Sequence, residues 1–156
     1  MSSKIMLQLA VAIQDSRVSY DKNADLPLPN IYFASVYPND GHAFSGYFAA
    51  DFTGAAMTKI SHWCVSHHGF RPYRSNSTIK LRRMLLGDLI ENPNAYCAAL
   101  ANAKENCESD VVQALRKLPG AIAAMTGVPL PVLDTKAADD LWDRLSAEVC
   151  AAGLRA

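Results

Sequence analysis

Two runs rich in aromatic and β-branched residues, Ile31–Tyr37 and His42–Phe52, flank the tetrapeptide Pro38-Asn39-Asp40-Gly41. This arrangement constrains the fold more than any other stretch of the chain. Proline presets φ early in a turn, and glycine supplies a positive φ later in it. Two such runs joined by such a turn predict an antiparallel β-hairpin.

Upstream of the hairpin, Ile5, Leu7, Leu9, Val11 and Ile13 alternate with Met6, Gln8, Ala10 and Ala12. Period two places the five large aliphatics on one face of a strand, and three of them are β-branched. A helix is the rival reading, because Ile5, Leu9 and Ile13 also share a helical face. A strand over residues 5–13 is expected, then a turn at Gln14-Asp15-Ser16, a short strand at Arg17–Tyr20 and a loop over 21–30. The run Ile5–Ile13 is too short to cross a bilayer as a helix, which takes about 20 residues.

From residue 53 the period changes. Ala56, Ile60, Trp63 and His67 fall at helical spacing, so a helix capped by Thr53 should run to Gly69. Ser77 is expected to cap a second helix, Thr78 to about Ile90, with Ile79, Leu81, Leu85, Leu86, Leu89 and Ile90 as its apolar arc. Asn92-Pro93 reads as the start of a third, which carries Tyr96, Leu100, Ala103 and Cys107 on one face. Ser109 should cap a fourth, broken by Pro119-Gly120, with a helical turn or two over 121–126. Val128–Pro131 reads as an extended connector. A last, acidic helix near Asp134 carries Ala138, Leu141, Trp142, Leu145 and Val149.

These elements predict an α+β fold in which N-terminal antiparallel strands and a hairpin precede four or five helices packed on one sheet face. A single domain spanning 1–156 is expected, mainly strand over 1–52 and mainly helical over 53–156. Half of the residues are hydrophobic and 19% are charged, which excludes disorder over most of the chain. Cys64, Cys97, Cys107 and Cys150 form no CxxC pair, and a chain of this length needs no disulfide staple. They are read as reduced thiols, mostly buried, in a cytoplasmic protein without a membrane anchor.

Fifteen basic and fifteen acidic side chains give a formal net charge of zero. That zero hides an asymmetry. The 36 residues between Asp51 and Asp88 contain no acid, yet they hold Lys59, Arg71, Arg74, Lys80, Arg82 and Arg83. Acids gather before the stretch and again after Asp134. A local field of this kind matters more to an approaching polyanion than the total does. The expected helix would set Lys80 and Arg83 on one arc, next to a loop that mixes Arg71, Tyr73 and Arg74. Lys59, Arg71, Tyr73, Arg74, Lys80 and Arg83 are therefore the candidate partner-binding residues, since guanidinium groups grip carboxylate or phosphate through paired hydrogen bonds. Pairing of the basic face with the acidic last helix, within the fold, is the competing explanation.

The cluster His62-Trp63-Cys64-Val65-Ser66-His67-His68 suggests chemistry. Cys64 with His68 or His42 is the candidate nucleophile–base pair, but it would need an orienting group and an oxyanion site. His62 falls on another helical face, and a four-ligand zinc site would need His42, Cys97 or Cys107 from afar, with no spacing to recommend them. Walker A, GxGxxG and HExxH are absent. No metal and no cofactor are expected.

Together these features favour a small non-enzymatic interaction or regulatory protein that binds an anionic or acidic partner surface through residues 59–83, as an inhibitor acting by surface occlusion would. The alternatives are a nucleic-acid-binding protein using the same segment, and a small Cys/His hydrolase or transferase. A protein is the expected partner. A homodimer is also expected, because zero net charge gives little repulsion and the basic and acidic segments can pair between copies.

Overall fold

The computed structural model describes residues 2–39, 41–72 and 76–130. The acidic helix expected near Asp134 lies outside them, as do Tyr73, Arg74 and Cys150. In chain order the elements are α1 (Ser2–Ser16), β1 (Asn30–Tyr37), β2 (Phe44–Ala50), α2 (Thr53–His68), β3 (Thr78–Arg83), α3 (Leu86–Glu91), α4 (Asn94–Glu105) and α5 (Ser109–Thr126). The fold is α+β, with a three-stranded antiparallel sheet whose strands are preceded by α1, interrupted by α2 and followed by α3 to α5.

The expected hairpin is present. Phe33 stands opposite Tyr47 and Ala34 opposite Gly46, and the strand order is β2-β1-β3. Alternation divides the sheet residues between two apolar layers. Ile31, Tyr47 and Ala49 pack with α1, α3, α4 and α5. Ala34, Val36 and Phe48 pack with Ile60, Trp63 and Cys64 of α2. Among the described residues, four helices therefore share one sheet face and α2 takes the other. The strand ladder leaves a third small cluster, Tyr32, Ala50 and Ala56, at the start of α2.

Residues 5–13 are helical, in place of the expected strand. Met6, Leu9, Ala10 and Ile13 are buried at helical spacing, whereas Val11 is 39% exposed. The period-two pattern misled because the intervening residues, Met6 and Ala10, are also apolar and good helix formers. Packing of that stripe then decides the conformation. Arg17, at φ 56, ends α1, so no strand follows at Arg17–Tyr20. The Gln14 side chain donates to the Ile90 carbonyl at 2.7 Å and ties α1 to α3.

α2 runs as expected to Gly69, whose φ of 73 suits glycine. The Phe70 N–H reaches the Cys64 carbonyl and the Gly69 N–H reaches Val65, a double closure of the last turn. Phe52, rather than Thr53, occupies the N-cap.

The expected helix over 78–90 is instead β3 followed by the short α3. Thr78-Ile79-Lys80-Leu81-Arg82 alternates with period two, and β1 offers it a partner: Ala34 stands opposite Leu81 and Val36 opposite Ile79. The leucines from 85 onward supply α3, whose Leu86, Leu89 and Ile90 are buried. Ser77 therefore caps no helix.

α4 starts just after Asn92-Pro93 and is the most enclosed helix, with Ala95, Tyr96, Cys97, Ala98, Ala99, Leu100 and Ala103 all buried. Its alanines permit close approach to the sheet, and each buried large side chain contributes about 1.5–3 kcal/mol. Cys107 falls beyond the helix end, exposed, at φ 56, and not on the expected apolar face. α5 continues through Pro119 to Thr126, where a break was expected.

Candidate partner-binding site

Among the described residues β3 is an edge strand, and it carries the core of the basic segment. A strand turns successive side chains to opposite faces. Lys80 and Arg82 thus share one face, while Arg83 points with Ile79 and Leu81 to the α2 side. The helical arc that would have joined Lys80 to Arg83 does not exist. Lys80 and Arg82 replace it as neighbours on one face, with Tyr37 beside them. The Lys80 ammonium lies 5.4 Å from the centre of the Tyr37 ring, a cation–π distance.

Several of the six cations have acidic neighbours within the fold. Lys59 pairs with Glu108 at 2.7 Å and donates to the Ala49 carbonyl at 2.6 Å. Arg82 meets Asp88 at 3.2 Å and Arg83 meets Asp25 at 2.7 Å. His67 pairs with Glu105. Asp25 of the α1–β1 loop and Glu108 of the α4–α5 corner are distant in sequence from their partners, whereas Asp88 of α3 lies six residues after Arg82. Lys59 sits on α2, drawn to the β2 edge, and does not join the β3 group. Arg71 is exposed just past α2. Arg82 and Arg83 stay 59% and 42% exposed, so their pairs are screened and worth at most about 1 kcal/mol each.

The backbone adds a second property. Among the described residues, no strand pairs with the outer edge of β3. The Asn102 side chain donates to Tyr47 O and Lys59 to Ala49 O, so those β2 carbonyls point away from β1. Ladder alternation then directs the odd residues of β1 toward β3, as the bond from Met84 N–H to Ile31 O confirms. Thr78, Lys80 and Arg82 therefore bond to β1, and the backbone groups of Ile79, Leu81 and Arg83 face outward.

The nucleophile candidates Cys64 and His68 both lie on α2 beside Trp63, with His42 in the hairpin connection. Cys64 is fully buried among Phe48, Ile60 and Trp63, and this burial pushes its thiol up to about 11. A thiol so raised stays protonated near neutral pH, the opposite of an activated thiolate. His68 stacks on Phe44 with ring centres 3.6 Å apart and meets Trp63 edge-on. His42 is exposed in the hairpin connection. His62 lines a different feature, an open groove of about 480 Å³ whose wall includes Lys59, Glu105, Cys107 and Glu108. Among the described residues no group of three or more His, Cys, Asp or Glu side chains is placed to hold a metal ion. No helix among them is long and apolar enough to cross a membrane.

Sequence reasoning missed Tyr37, the outward backbone of Ile79 and Leu81, and the exposure of Cys107. The alternation in Thr78–Arg82 was the available signal for the first two. Compared with known protein families, with curated proteins and with solved structures, the chain matches none.

Proposed function

We propose that this chain is a small interaction protein that binds an acidic surface on a protein partner through its basic segment, with β3 as the contact. One observation carries the reading: Lys80, Arg82 and Arg83 are gathered on an exposed edge strand. Asp25 is largely solvent-exposed and Asp88 partly so, and the arginines they meet are exposed too, so an incoming carboxylate competes with these screened pairs at modest cost. Tyr37 adds a flat apolar contact under Lys80. Binding there would occlude the partner's acidic face, which is how a stoichiometric regulator or inhibitor acts.

The test is fluorescence anisotropy of the full chain with a labelled glutamate-rich peptide and with single- and double-stranded DNA and RNA, at about 50 and about 200 mM salt. The peptide should bind at the lower salt and weaken at the higher. Lys80→Glu should reduce its affinity roughly tenfold, by reversing one charge at a shared face. No binding to any probe at low salt defeats the proposal. Nucleic acid bound more tightly than the peptide, and lost in Lys80→Glu, would assign the same strand to a nucleic acid.

A further inference from the structure

The chain already places one acidic residue against the extension of β3. Asp25 makes an isolated antiparallel bridge with Leu85, just past the strand end. The bonds from Leu86 N–H to Ala24 O and from Gly87 N–H to Lys22 O, both 2.9 Å, hold the segment 22–25 there. Arg83 is the diagonal neighbour of Asp25 in this register, and their charges meet at 2.7 Å. Pro27 then removes a backbone donor from the segment. The outer edge alongside Leu81 and Ile79 is left without a neighbouring strand among the described residues.

We infer that this edge accepts an extended acidic peptide as a fourth strand, antiparallel to β3. The inference rests on the acidic-partner reading and names its mode. Backbone groups of Ile79 and Leu81 would supply the hydrogen bonds. Residues of the peptide opposite Lys80 and Arg82 would be acidic. Those opposite Ile79 and Leu81, both half-buried against the α2 layer, would be apolar. The ligand class is therefore a strand of alternating acidic and apolar residues. A second copy of β3 fits poorly, because antiparallel pairing about Leu81 sets Lys80 of one copy opposite Arg82 of the other, and like charges facing each other destabilise a ladder.

The experiment uses the full chain and two synthetic probes: a peptide of alternating Glu and Val, and the same peptide N-methylated at alternate backbone positions on the edge-facing side. Both carry the same charge, but only the first can complete the ladder. Amide exchange is followed in parallel. In the chain alone, the amides of Ile79 and Leu81 should exchange quickly while those of Lys80 and Arg82 are protected. The unmodified peptide should slow Ile79 and Leu81 specifically, and methylation should weaken binding at least about tenfold. Equal binding of the two probes overturns strand addition yet leaves the acidic-partner reading intact. Failure of both probes defeats both readings. Slow exchange at Ile79 and Leu81 before any peptide is added means that another part of the chain already fills the edge, and the inference fails.

Discussion

The Tyr96 hydroxyl replaces the hydrogen bond that Pro119 cannot make. Residue 119 of α5 would normally donate its N–H to the carbonyl of Leu115, but proline has none. Tyr96, on α4, donates to that carbonyl at 2.7 Å in the core. The proline is thereby tolerated inside a continuous helix. Tyr96→Phe should cost about 1–3 kcal/mol, since it orphans a buried acceptor. The cost should shrink by about 1 kcal/mol in a Pro119→Ala background, where the restored N–H takes over. A double-mutant cycle on urea midpoints checks this, and strict additivity would rule the substitution of one donor for the other out.

Gly87 is fixed by close approach. A Cβ there would lie 2.8 Å from the Lys22 Cβ and 3.0 Å from the Lys22 carbonyl oxygen. The second contact is backbone and cannot swing away. Gly87→Ala should destabilise by about 1–3 kcal/mol and should loosen the segment that carries Asp25. Faster amide exchange at Leu86 and residue 87 would register the loosening. Unchanged exchange and stability would contradict the packing.

At the β2 edge, Asn102→Ala should cost about 1–3 kcal/mol, because it leaves the buried Tyr47 carbonyl without a donor. Lys59→Met keeps the stem but drops the ammonium, releasing Ala49 O and Glu108 at once. Its cost should be smaller, at or below about 1 kcal/mol, given the partial exposure of that pair. Chemical denaturation with unchanged slopes ranks the two, and a larger loss for Lys59→Met would reverse the assignment.

The thiols should separate by reactivity. In a Cys150→Ser background, Cys107 should react rapidly with a disulfide reagent in the folded protein, whereas Cys64 and Cys97 should react only on unfolding. Burial also raises both buried thiols, Cys64 to about 11 and Cys97 to about 12. In the unfolded chain they titrate near about 8.5. Between these values the unfolded state releases protons that the folded state keeps. Their contribution is thus complete below about pH 8.5 and is lost as the pH rises through 11 and 12. The alkaline fall in melting temperature should be shallower in Cys97→Ala than in the parent, and parallel curves would refute the linkage.

The hairpin and α2 were legible because local chemistry and tertiary context agree there: turn residues, aromatic runs and a terminal glycine all point to the same elements. α1 and β3 were not, for complementary reasons. Residues 5–13 fit both periods, and only the burial of Met6 and Ala10 in the folded chain selects the helix. Residues 78–83 were absorbed into a longer leucine pattern that belongs to α3. The candidate site suffered accordingly. Its basic composition was visible, but whether Lys80 neighbours Arg82 or Arg83 depends wholly on the local period. The acids that answer Lys59, Arg82 and Arg83 were invisible as partners, because Glu108, Asp88 and Asp25 meet them only through the tertiary fold.

The two edges of the sheet are unlike. Asn102 and Lys59 engage two outward carbonyls of β2 with side-chain donors, while β3 lies open among the described residues. A sheet built this way can lengthen in one direction and by one strand per chain. A peptide strand added along that side would find the opposite edge already engaged by side chains, so growth would end with the first addition. If β3 takes up a strand as proposed, the unlike edges would limit the sheet to one added strand per chain.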